Sequence, residues 1–200
     1  MWPVWRACAV AWVGCALCGC DSGETPLALP ALDPQAAASQ ALKDFDSNGD
    51  GALAGAELDK SPGLKAALAT LDKNGDKQLT AEEISTHLAG YKSTGAALVS
   101  LQCLVTLDGR PLPEAVVTLV PEHFLGDAFR PAKGTTDEAG SCLFQTEGEE
   151  VPGVACGIFR IQVSKPDAAG KETLPGRYNV NTVLGDEVGP VSPEYYPHFF

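Results

Sequence analysis

Two hundred residues, with a removable leader set aside, are enough for one ordinary domain or two small modules, each closing a modest core. Only 14 lysines and arginines stand against 26 aspartates and glutamates, for a formal charge of -12. This balance excludes nucleic acid as a partner, because a backbone binder needs a stripe of basic side chains to displace counterions, and it suits divalent cations instead.

Residues 1–19 read as a signal peptide: Arg6 is the positive charge of a short start, and an apolar run from Ala7 to Leu17 follows that is too short to span a bilayer. The run ends Leu17-Cys18-Gly19-Cys20-Asp21, which resembles a bacterial lipobox, where a cysteine after small residues is diacylated and becomes the mature N-terminus. The resemblance implies lipidation at Cys20 and an extracytoplasmic protein anchored to a cell-envelope membrane; cleavage without lipidation, giving a secreted protein, is the alternative. Two acyl chains hold well, since each buried methylene contributes about 0.8 kcal/mol. Residues 20–37, built of Pro, Ala, Leu and small polar residues without a sustained period, predict a flexible linker.

From about Ala36 to Tyr91 the pattern is helical, interrupted by two Asp-rich turns, and residues 38–91 form the first predicted module. The first turn runs Asp46-Ser47-Asn48-Gly49-Asp50-Gly51-Ala52-Leu53-Ala54-Gly55-Ala56-Glu57, with oxygen-bearing side chains at its first, third, fifth and twelfth places and glycine at its sixth. This is the EF-hand pattern. Calcium is a hard ion that takes six to eight oxygens at roughly 2.3–2.6 Å, and a twelve-residue loop wraps it only if the chain bends sharply midway. Gly51 permits the bend; Asp46, Asn48 and Asp50 offer one oxygen each, Ala52 its carbonyl, and Glu57 both oxygens.

The second turn, from Asp72 to Glu83, begins 26 residues after the first and repeats each ligand type in register: Asp72, Asn74, Asp76, the Gln78 carbonyl and Glu83, with Thr80 at the ninth place. Lys77 stands where glycine belongs, which predicts a strained left-handed residue and a weaker loop. Leu42 and Phe45 precede the first loop, Leu64, Leu68 and Leu71 stripe the approach to the second, and Ile84, Leu88 and Tyr91 follow it, so Leu53 and Leu79 should meet in a short bridge between the loops. The short spacing resembles the compact EF-hand pairs of bacterial secreted proteins. With barely one turn of exit helix from Ala56 to Lys60, a structural or weak extracellular calcium site is expected rather than a sensor.

Residues 92–97 form a polar hinge, and residues 98–200 predict a β module with strands at Leu98–Leu107, Glu114–Val120, Ala132–Thr136, Ser141–Thr146, Cys156–Ser164 and Asn181–Val188. Asp108-Gly109 is a tight-turn signal that should join the first two as a hairpin. The runs Val105 to Leu112, Ala115 to Pro121, Thr136 to Gly140 and Leu174 to Tyr178 look like the carboxypeptidase regulatory-like, transthyretin-type β-sandwich of many bacterial lipoproteins. That resemblance implies a non-enzymatic module for adhesion or spacing.

Of the seven cysteines only Cys103, Cys142 and Cys156 lie beyond Cys20; two could pair in an oxidising compartment, but buried strand positions suit small apolar side chains equally well. His87, His123 and His198 accompany no nucleophile signature, and Glu147, Glu149 and Glu150 read as a solvated turn. The expectation is therefore an α+β multidomain protein, an α-helical EF-hand pair followed by a small antiparallel β-sandwich, that binds calcium and is not an enzyme. The second module serves binding or spacing, with an envelope protein or polysaccharide a candidate partner; in the alternative, the protein is a non-catalytic accessory that positions a hydrolase or binds envelope polysaccharide, with calcium purely structural.

Overall fold

The computed structural model describes residues 30–92, 97–189 and, for the backbone alone, 198–199. The signal peptide, Cys20, residues 93–96 of the hinge and the aromatics Tyr195, Tyr196 and Phe200 lie outside them. Among the described residues no helix is long and apolar enough to cross a membrane.

Helix α1 (Pro34–Phe45) starts where Asp33 caps it, its Oδ1 accepting from the amides of Gln35 and Ala36, with proline in the first turn. Its buried face is small, Ala37, Ala38 and Ala41, which lets α3 (Ala81–Lys92) pack closely along it. Helix α2 (Pro62–Leu71) is capped by Ser61 and buries Leu64, Ala67 and Leu71, three to four residues apart on one face. Strands β1 (Ala52–Ala54) and β2 (Gln78–Thr80) pair antiparallel with Leu53 opposite Leu79, both fully buried.

The remaining strands are β3 (Gln102–Leu104), β4 (Thr106–Leu107), β5 (Arg110–Pro111), β6 (Val116–Pro121), β7 (Ala132–Thr135), β8 (Ser141–Leu143), β9 (Gln145–Thr146), β10 (Gly157–Ser164), β11 (Gly185–Val188) and β12 (His198–Phe199). Five of them build an antiparallel sheet in the order β11-β10-β6-β7-β9, and β12-β3-β8 form a smaller sheet. The Asp108-Gly109 turn does not lead into β6. It closes the miniature hairpin β4–β5, with both turn residues at positive φ (52° and 75°), while β6 pairs with β7 and β10.

The expected helical EF-hand pair followed by a separate sandwich is not what the chain forms. Among the described residues there are only three α-helices, strands dominate, and the stretch after Glu57 is one 3₁₀ turn (Leu58–Lys60) rather than an exit helix. Helix α2 lies directly on the five-stranded sheet against β10 and β11, so the residues of the helices and of the strands enter a single hydrophobic core. Strand β10 shows the cause in its own sequence: besides Phe159, Ile161 and Val163 on one face it buries Ile158 on the other, so the start of the strand needs a cover on both faces. The cover fits because two glycines meet there. A β-carbon on Gly63 of α2 would lie 2.7 Å from Ile158 Cγ2, and one on Gly185 of β11 would fall on the Pro62 carbonyl.

Candidate metal centre

Each twelve-residue loop is organised by its own carboxylates. In the first, Asp46 Oδ1 accepts from the Gly49 amide at 2.6 Å and Oδ2 from the Gly51 amide at 3.0 Å. Asn48 Oδ1 accepts from the Asp50 amide, Asp50 Oδ1 from the Ala52 amide, and Asp50 Oδ2 from Asn48 Nδ2. Glu57 is almost buried and folds back over the loop, Oε1 on the Ser47 and Asn48 amides and Oε2 on the Ala54 amide.

The second loop repeats the pattern, except that Glu83 accepts from the Lys73 amide where Glu57 accepts from both Ser47 and Asn48. Asp72 accepts from the Gly75 amide at 2.6 Å and the Lys77 amide at 2.8 Å, Asn74 from Asp76, Asp76 from Gln78 and from Asn74 Nδ2, and Glu83 from Lys73 and Thr80. Desolvation pushes the Asp72 carboxyl up, but the amides of Lys77, Gly75, Asp76 and Asn74 together outweigh it and hold it below its ordinary value. The bend falls at the sixth place in both loops, φ 87° at Gly51 and 64° at Lys77, so the lysine adopts the left-handed conformation its position demands.

One difference between the loops explains why only the second is followed by a full helix. Thr80 and Glu83 form a capping box: the Glu83 amide donates to Thr80 Oγ1 at 3.3 Å while Glu83 Oε2 accepts the Thr80 amide at 3.0 Å, and α3 follows. At the equivalent place in the first loop Ala54 has no hydroxyl, Gly55 turns left-handed at φ 48°, and the chain manages a single 3₁₀ turn. The Thr-x-x-Glu signal was present in the sequence.

As a donor set the loops suit a hard cation. Every ligand atom is oxygen, and Asp46, Asn48, Asp50 and Glu57, like Asp72, Asn74, Asp76 and Glu83, each retain a carboxylate or amide oxygen that accepts a single hydrogen bond and keeps a second lone pair. The side chains stay on their own loop amides, and among the described residues no three His, Cys, Asp or Glu side chains gather into one cluster. The carbonyls of Ala52 and Gln78 belong to the paired strands β1 and β2, which ties the two loops to one another.

Behind the second loop lies a cluster that sequence reading missed. Glu187 of β11 accepts from His87 Nε2 at 2.5 Å and Tyr91 Oη at 2.8 Å, both on α3, and from Thr70 Oγ1 of α2 at 2.6 Å. Its partners lie 96 to 117 positions away along the chain, so no local pattern announces it. Exposed His123 meets Asp44 at 2.9 Å, and Glu147 meets Lys133 at 2.6 Å as a surface pair. No family model, curated protein or solved structure matches the chain.

Proposed function

We propose that this chain binds calcium through the loops Asp46–Glu57 and Asp72–Glu83. The ion would be held by Asp46, Asn48, Asp50, the Ala52 carbonyl and Glu57 in one loop, and by Asp72, Asn74, Asp76, the Gln78 carbonyl and Glu83 in the other. The observation that carries this reading is the repetition, in register, of one hydrogen-bond pattern in two loops whose eighth residues pair across β1 and β2. Calcium bound there would neutralise the ligand carboxylates that crowd each loop and thereby steady the adjoining helices.

The lipobox-like ending at Cys20 supports a protein held by two acyl chains on the outer face of a membrane, with the helix–sheet unit displayed for binding or spacing. Isothermal titration with calcium and with magnesium tests the metal reading. Two calcium sites are expected, with Glu57→Gln removing one of them; absence of heat with either cation at millimolar concentration refutes it.

A further inference from the structure

Cys103, at the centre of β3, and Cys142, at the centre of β8, stand directly opposite each other in an antiparallel pair. Opposed Cα atoms in such a pair lie about 4.5–5.5 Å apart, within the span of about 4.4–6.8 Å that a disulfide bridges. Both side chains are buried and their sulfurs approach to 2.9 Å, so an S–S bond of about 2.05 Å needs a closure of only about 0.9 Å. Neighbouring β7 makes room for the pair: a β-carbon on Gly134 would come within 2.9 Å of Cys142 Sγ. Cys156 has other surroundings, lining a small cavity with Leu32, Tyr91 and Phe129.

We propose that Cys103 and Cys142 are joined as a disulfide, leaving Cys156 as a free thiol. Formation removes two protons and two electrons from the two thiols; a low-molecular-weight or protein disulfide accepts the electrons, and its own S–S bond breaks to give two thiols. One of the two sulfurs, as its thiolate, attacks the oxidant to form a mixed disulfide, and the other then displaces the remaining half to close the bridge. The partners are 39 positions apart, so the bridge crosslinks two adjacent strands of the small sheet and closes a loop of chain that includes β6 and β7 of the large one.

Peptide mapping of the full chain tests this. The protein is incubated with oxidised glutathione, its remaining thiols are alkylated in denaturant, and cleavage after glutamate places Cys103, Cys142 and Cys156 on three peptides, 84–114, 139–147 and 151–172. The expected result is peptide 84–114 joined to 139–147, with Cys156 alkylated. Reduction should lower the midpoint of thermal unfolding by roughly 10 °C, a sensitivity that Cys156→Ser keeps and Cys142→Ser loses. Recovery of Cys103 and Cys142 both alkylated, or of either joined to a different cysteine, overturns the assignment, and this map decides the matter even if Cys142→Ser does not fold.

Discussion

Ser61 Oγ donates to Glu122 Oε1 at 2.9 Å, a bond between the residue that caps α2 and the residue that follows β6, with both side chains buried. The same carboxylate oxygen accepts the Gly63 amide at 3.1 Å, and Arg160 Nε of β10 lies 3.5 Å from Oε2. Helix start and sheet are thus joined by one buried acid. Burial pushes its carboxyl up, and the Ser61 and Gly63 donors and the Arg160 charge only partly offset that.

Removing this acid should cost more than neutralising it. Glu122→Ala leaves a hydroxyl and an amide without their acceptor and a guanidinium without its counter-charge, and should destabilise the fold by about 3 kcal/mol. Glu122→Gln keeps an oxygen for Ser61 and Gly63 and should cost about 1 kcal/mol. Urea unfolding of the two variants checks the order; equal losses would mean that the charge matters and the hydrogen bonds do not.

The Glu187 cluster makes stability depend on pH. Desolvation raises this carboxyl, but the donors His87 and Thr70, the charge at His87 and the Tyr91 hydroxyl outweigh it, and the group lies below its ordinary value of 4.5. An acid depressed in the folded state contributes stability that is present above the ordinary value and lost as pH falls through the folded one. Tyr91 and Cys156, which face Glu187, are both pushed up by burial and by Glu187, so they stay neutral through this window. Thermal midpoints should therefore drop steeply below about pH 4.5, and Glu187→Gln should flatten that drop while costing about 1–2 kcal/mol at neutral pH. An unchanged acid profile in the variant would assign the loss to other carboxylates.

What was legible in the chain was local. The left-handed sixth residue of each loop follows from twelve consecutive residues, the pairing of Leu53 with Leu79 from the repetition of that loop, and the stripe Ile84, Leu88, Tyr91 marks α3 correctly. The joint between helix and sheet was not legible, because Gly63 and Gly185, or Ser61 and Glu122, are brought together only by the tertiary fold. The expected strand Leu98–Leu107 breaks at Val105 for a similar reason. Its amide donates to the Gly140 carbonyl at 2.8 Å and its carbonyl accepts the Leu112 amide at 3.0 Å, diverting it from a continuous ladder. Leu174 to Tyr178, read by resemblance as part of a sandwich, ends in a 3₁₀ turn at Gly176–Tyr178.

A shared core changes what metal removal should do. Two independent modules would melt separately, whereas here α2 and α3 are bound to the sheet through Glu122 and Glu187. Calcium should raise the midpoint of a single cooperative transition, stabilising the fold by about 2.7 kcal/mol at a hundredfold excess over the dissociation constant of one site. Circular dichroism bands for helix and strand followed together would check this, and separate transitions in chelator would show that the joint does not hold.

The sixth loop position offers the sharpest comparison between the loops. Lys77 holds φ 64° and donates its amide to Asp72 as Gly51 does to Asp46, so both loops make the same bend with unequal ease. A residue with a β-carbon adopts that conformation at a cost on the order of 1 kcal/mol, and Lys77→Gly removes it. The variant also removes a positive charge from the loop, a smaller effect because the side chain is exposed and screened by salt. Glycine widens the freedom of the loop before binding, which returns part of the gain. The net expectation is calcium affinity at the second loop improved by up to about tenfold, since about 1.4 kcal/mol corresponds to one decade. Gly51→Ala is the reciprocal experiment. A β-carbon at Gly51 would meet nothing within 4 Å, so any loss at the first loop reports backbone strain alone. Titrations in which Lys77→Gly tightens the second site and Gly51→Ala weakens the first by similar factors would establish the bend as the common cause; opposite or null changes at both would dismiss it.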